Sequence, residues 1–427
     1  MFSLLVVAIL ANGLYFWLQK SQVITSPALE NYLYPVEIIP EDPVIDPPKF
    51  GLEGFYLVPQ EWMITKLLKD IFVLAFIIVS VPYLRTSNLK PSKWLLVPAS
   101  FGLSIAVAFF LSTWLYGVWV AIVGMRPITY LAAGMMGMWA ADRRSMQLLC
   151  HYLVAVLILE LLLALNEYQY GLPLFHTARL GNRVNGTFLF PSILGVFAVV
   201  VCTLAMCFSR ISKILLLALT AALVYLTGSA TALVLSVVMI SIWAVLAVPH
   251  AWRMIVRMAS LAILAVTVLT MPKLVERPDV FDALWGRIEP ATDYWNHRPP
   301  VAQILFGKGL GLGSNVMNSA LAQSTTIAKP TVDLFHARTD STPLALVNQI
   351  GIVGCLLFYL MLGVAAWRDR RAAPVYVIIF LAGMTINLLE LFPVNFLMGL
   401  LLCRSMLLPK DKSDSLESAQ ERPPNLR

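Results

Sequence analysis

Charged and titratable side chains are scarce in this chain, so their placement is informative: 13% of the 427 residues are charged and 59% are hydrophobic. The densest set of groups that could do chemistry lies in the polar stretch 272–343. It holds Arg277, Arg287, Arg298 and Arg338, the carboxylates Asp293 and Asp340, the histidines His297 and His336, and the glycine cluster GKGLGLGS at 307–314. A second set is RLGNRVNGTFLFPSILG (179–195), where Arg179 and Arg183 stand four apart and share a face if the segment is helical. Arg126, in VGMRPITYL, is a third candidate, followed by a proline that loosens the helix there. Arginine's planar fork binds phosphate oxygens bidentately. Asp340 or His336 could take the proton of an attacking hydroxyl while arginines stabilise charge on a departing pyrophosphate.

Each candidate also has a plainer reading. Arg126 could snorkel to a headgroup region, and Arg179 and Arg183 could anchor the chain at an interface. His336 could be a surface histidine and Asp340 a cap next to a helix start, where Ser341 or Thr342 is the N-cap and Pro343 fits the first turn. The glycine cluster fits neither a dinucleotide fingerprint nor a P-loop. It reads as a tight turn whose backbone N–H groups approach a ligand or another backbone.

The elements that must position these residues are apolar runs long enough to cross a bilayer. Mean hydropathy is +0.77. Twelve runs stand out, at 2–19, 64–84, 94–112, 117–139, 146–166, 188–208, 212–227, 230–248, 254–271, 344–367, 374–391 and 394–409. In lipid every backbone polar group must be satisfied within its own segment, which selects helices. The expected fold is therefore an all-α polytopic membrane protein of about twelve spans. A large outer loop, 272–343, separates spans nine and ten. Residues 2–19 lack the basic start and small-residue cleavage site of a signal peptide and are read as the first helix.

Lysine and arginine gather in alternate loops, at Arg85/Lys90/Lys93, Arg143/Arg144, Arg210/Lys213, Arg253/Arg257, Arg368/Arg370/Arg371 and Lys410/Lys412. With twelve spans these fall on one side, which the positive-inside rule makes cytoplasmic together with both termini. The opposite side receives the acidic, proline-rich cap 20–63, the loop 167–187 and the stretch 272–343. Residues 1–409 then form one transmembrane domain, and the polar tail 410–427 reads as disordered. Short helices are expected near 278–288 and 314–323.

The net charge of +7 does not point to nucleic acid, because the basic residues sit as short clusters between apolar runs. Cys150, Cys202, Cys207, Cys355 and Cys403 lie in or beside apolar runs without CxxC spacing and read as small hydrophobes. Glu160 and Glu390 are costly in an apolar run. Glu160, the deeper one, is expected as a neutral, hydrogen-bonded acid inside the bundle. Snorkelling suffices for Lys66 and Lys69.

Taken together, these segments resemble the O-antigen ligase/polymerase superfamily of bacterial envelope glycosyltransferases. RVNGTFLFPSILGVF is similar to the family's Arg-x-x-Gly-Thr-Phe-x-x-Pro-Asn-x-x-Gly run, and LTGSATALV (226–234) to its Thr-Gly-Ser-Arg-Thr segment. Arg287, Trp295 and the Gly-x-Gly cluster precede DSTPLALVNQIGIVG, which opens the tenth span. Departures are Ala230 where arginine is common, Ser192 after Pro191, and Asp340-Ser341 where ligases often carry His-Asn, with His336 one helical turn earlier. The last departure tilts the resemblance towards a polymerase. The resemblance implies a GT-C-like membrane enzyme at the bacterial inner membrane. It would act, with no cofactor and no metal, on undecaprenyl-pyrophosphate-linked glycan donors and a glycan acceptor. Arg183 and Arg287 would be the best-matched pyrophosphate ligands, with Arg126, Arg179 and Arg338 beside them and Asp340 or His336 assisting the acceptor. Other polysaccharide-assembly proteins are implied partners. A ligase, which delivers the finished glycan to a lipid core or protein, is the alternative within the family. A transporter or flippase is the alternative outside it, although no two-fold repeat is evident between the halves.

Overall fold

A computed structural model describes residues 3–13, 63–86, 93–138, 143–170, 183–184, 186–188, 191–275, 280–281, 285, 299–312 and 341–407. Among these the only regular structure is helical. The helices are α1 (Ser3–Gly13), α2 (Met63–Thr86), α3 (Leu96–Tyr116), α4 (Val118–Met138), α5 (Arg143–Tyr170), α6 (Pro191–Phe208), α7 (Lys213–Thr227), α8 (Ala230–Ala247), α9 (Arg253–Leu274), α10 (Val301–Phe306), α11 (Thr342–Arg368), α12 (Ala373–Thr385) and α13 (Val394–Leu407). A helix lies in each of the twelve apolar runs. Seven segments are long and apolar enough to cross a membrane: Leu96–Tyr116, Val118–Gly137, Arg144–Gln169, Pro191–Phe208, Ala230–Ala247, His250–Leu274 and Thr342–Arg368. The chain is thus an α-helical, multi-pass membrane protein. Its surface agrees, since Phe110, Trp114, Ile255, Leu261 and Leu269 are more than half exposed, and such side chains are at home only against hydrocarbon.

The chain divides into two compact units. The first comprises Met1–Phe76, Gln147–Pro290 and Asn315–Arg338; the second comprises Ile77–Met146, Ala291–Ser314 and Thr339–Arg427. In the first unit α6 is the core helix. All its residues except Ser192 are buried, and α7 and α8 pack on it. Small residues allow this closeness: an added Cβ at Gly195 would lie 2.7 Å from Ala232 Cβ on α8 and 3.1 Å from Thr227 Oγ1. Lys69 does more than snorkel, since its ammonium donates to Asn12 Oδ1 of α1 at 2.9 Å.

In the second unit α13 packs along α4, and α11 packs on α3, α10 and α12. Two features depart from the sequence expectation. First, 374–391 is not one span. The helix stops at Thr385, residues 388–390 form a single 3-10 turn, and α13 starts only at Val394. The broken backbone is held by α11: the Thr342 hydroxyl donates to Ile386 O at 2.9 Å and accepts from Leu388 N–H at 2.9 Å. Second, α11 is kinked at Gly351, whose φ of 72° and ψ of 179° are not helical. Leu305 O and Phe306 N of α10 occupy the space a side chain would need there. Ser341 is the N-cap of α11 and a proline stands in its first turn, as the sequence suggested. The expected helices near 278–288 and 314–323 lie largely or wholly outside the described residues; within the loop the structure adds the short helix α10.

Candidate functional site

In the first unit, the segments RVNGTF and LTGSAT meet. The chain enters α6 through a non-helical pair, Arg183 and Val184, followed by a turn at Gly186–Phe188. Arg183 is therefore not on a helix, so the condition under which Arg179 and Arg183 would share a helical face is not met at Arg183. Val184 N–H donates to Leu226 O at 3.2 Å, and the Arg183 guanidinium donates through Nε to Thr227 O at 2.8 Å. That carbonyl is available because α7 ends there. Gly228 adopts a left-handed C-cap, with φ 51° and ψ 35°, and Ser229 caps α8 by accepting from Ala232 N–H. The Arg183 side chain lies over this turn: an added Cβ at Gly228 would sit 3.3 Å from Arg183 Cγ.

Two carboxylates of α5 close on the turn at Gly186–Phe188. Glu160 is buried, as expected, and both its oxygens are used. Oε2 accepts from Thr187 N–H at 2.9 Å, and Oε1 accepts from the Thr187 hydroxyl. Glu167 Oε2 accepts from Gly186 N–H at 2.9 Å. Gly186 has φ 54°, and a side chain there would run into Glu160 Oε2. The sequence reading passed over Glu167. The signal was present: positions 160 and 167 are two helical turns apart and share a face of one helix.

In the second unit, Arg126 lies half-buried within α4, which runs on through Pro127. Its Nε donates to Tyr130 Oη, one turn on, at 2.9 Å. The glycine cluster takes the second of its two sequence readings, an approach to another backbone. Lys308 N–H donates to Asn348 O at 2.8 Å and Gly309 N–H to Gln349 O at 3.2 Å. The kink at Gly351 withdraws these carbonyls from regular helix pairing. Ser112 Oγ donates to Leu310 O at 3.1 Å, and Gly124 of α4 abuts the backbone of Gly311. Burial lowers the pKa of the Lys308 ammonium from its ordinary value.

A small cavity in this unit is lined by Pro127, Gln349, Asn387 and Glu390, among others. Asn387 Nδ2 donates to Glu390 Oε1 at 2.9 Å, while the buried Asn387 Oδ1 has no hydrogen-bond partner. Glu390 thus sits in the 3-10 turn, not inside a span. The five cysteines are free and buried.

Of the candidate residues, Arg126 belongs to the second unit and Arg183 to the first. Arg179, Arg287, His336, Arg338 and Asp340 lie outside the described residues. No family model, no curated protein and no solved structure matches the chain.

Proposed function

We propose that this protein is a membrane glycosyltransferase that polymerises undecaprenyl-pyrophosphate-linked oligosaccharide repeat units during surface-polysaccharide synthesis. The observation that carries the reading is the hydrogen bond from Arg183 to Thr227 O. It joins the two segments, RVNGTF and LTGSAT, that separately resemble the same family. A guanidinium held at the mouth of an apolar helix bundle is suited to the phosphates of a lipid-linked donor.

In this reading the acceptor hydroxyl attacks the anomeric carbon of the donor sugar. The new C–O bond forms as the bond to pyrophosphate breaks, and undecaprenyl pyrophosphate leaves. Asp340 or His336 takes the acceptor proton. Arg183 and Arg287, with Arg179 and Arg338, stabilise the charge that develops on the leaving group. The chain sits in the bacterial inner membrane with both termini cytoplasmic and 272–343 as an outer lid. A strain carrying Arg183→Ala tests this. It should keep single repeat units on the final acceptor and lose the long chains. A ligase, the family alternative, would instead accumulate long lipid-linked chains when inactivated.

A second reading, a transporter or flippase, draws on the break between α12 and α13. Interrupted helices with polar groups, here the buried Asn387 and the half-buried Glu390, are where transporters bind their cargo. Uptake of a labelled lipid-linked glycan into protein-loaded vesicles, lost on Asn387→Leu, would favour it.

A further inference from the structure

We propose that Glu160 and Glu167 are positioning residues for Arg183, together forming a carboxylate clamp on the loop that carries it. The assignment rests on the reading of Arg183 as a pyrophosphate ligand. The segment 183–188 is pinned from two sides. On one side the turn at Thr227–Gly228 takes Arg183 Nε and, at Leu226 O, the N–H of Val184. On the other side α5 presents its two carboxylates. Glu160 accepts two donors from Thr187, and Glu167 accepts the N–H of Gly186.

The choice of residue type is the argument. Glu160 is 1% exposed and Glu167 8% exposed. Burying a carboxylate is costly, and simple packing of α5 would be served by leucine. A carboxylate offers two oxygens and about four acceptor sites, enough to take an amide and a hydroxyl from the same residue. A loop entering a bundle has backbone N–H groups that no helix satisfies, and a buried one left without an acceptor is costly, so the carboxyl oxygens of α5 supply what leucine could not. The contacts fall on Gly186 and Thr187, three and four residues after Arg183. Losing one would let the guanidinium shift while α5 and α6 stay folded. Gly186 belongs to the same device, because only a residue without a side chain leaves Glu160 Oε2 in place.

The test uses the full chain in lipid nanodiscs, with undecaprenyl pyrophosphate as the binding probe and Thr187→Val, Thr187→Ser, Glu167→Gln and Arg183→Ala as variants. Hydrogen–deuterium exchange across 183–188 is followed in parallel. Thr187→Val should speed exchange in this segment and weaken binding about tenfold, the effect of one hydrogen bond worth roughly 1.4 kcal/mol. Thr187→Ser should restore both. Exchange in α6 and the thermal midpoint should stay near wild type. Unchanged exchange in Thr187→Val and Glu167→Gln would overturn the clamp. Faster exchange with wild-type binding, or failure of serine to restore binding, would overturn its positioning role. Arg183→Ala binding as well as wild type would instead contradict the ligand reading of Arg183, and the positioning role with it, while the exchange data would still report whether the clamp exists.

Discussion

Glu160, deep in an apolar helix, accepts a 2.9 Å hydrogen bond from the backbone N–H of Thr187, twenty-seven residues further along the chain. An acid that would be a liability in hydrocarbon thereby becomes the fixed point of a loop. The same economy recurs in the second unit, where Gln349 O, displaced by the kink at Gly351, accepts the N–H of Gly309. In both places a break in helical backbone is compensated by a partner from a distant segment, as a bilayer requires.

Removing the acid should therefore cost stability as well as position. Glu160→Ala leaves a half-buried amide and hydroxyl of Thr187 without their acceptor, each worth up to about 1–3 kcal/mol if water cannot replace it. The expected result is a lower thermal midpoint in detergent than for Glu160→Gln, which keeps an acceptor. Equal midpoints for the two variants would contradict this account of Glu160.

The kink in α11 makes an internally controlled prediction. Gly351 combines positive φ with the α10 backbone pressed against it, whereas Gly363 on the same helix has nothing within 4 Å of an added Cβ. Gly351→Ala should destabilise by about 1–3 kcal/mol, the scale of strain at such a position, and Gly363→Ala should be close to neutral. Thermal melting of the purified variants checks both.

At the far end of α11, Asp369 is 4% exposed and pairs with Arg404 at 3.3 Å. Arg404→Ala leaves a buried carboxylate without this partner and should cost about 3–5 kcal/mol. The double change Asp369→Ala with Arg404→Ala should recover part of that loss. A measurement of folded yield and midpoint for the wild type and the two variants decides it.

The charge pattern predicts an orientation that labelling can test. Cysteines introduced at positions 45 and 325 should react with an impermeant thiol reagent applied from outside spheroplasts. A cysteine at 418 should react only after permeabilisation. The opposite labelling would invert the topology, and with it the placement of 272–343 as an outer lid.

Much of the helical plan was legible because hydrocarbon imposes a simple rule: an apolar run of sufficient length becomes a helix. Every run contains one, and Pro343 and Ser341 marked the start of α11 by ordinary capping logic. The failures came where tertiary contacts outrank that rule. The break after Thr385 is held by Thr342 of α11, a contact between distant segments that an apolar count cannot see. The kink at Gly351 depends on α10, an element too short to give a periodic signal. Arg183 was singled out by residue type, but its partner, a backbone carbonyl at Thr227, has no side-chain signature. Glu167 escaped because only the spacing to Glu160, not its own neighbours, showed that it faces inward.

The most direct test of the central claim is the length of lipid-linked glycan made by membranes carrying wild-type or Arg183→Ala protein, at matched protein levels and with native lipid-linked repeat units supplied. The account predicts long chains from the wild-type membranes, and a loss of at least tenfold in polymer with accumulation of single repeat units from the variant. Polymer of wild-type length and amount from Arg183→Ala membranes would contradict it.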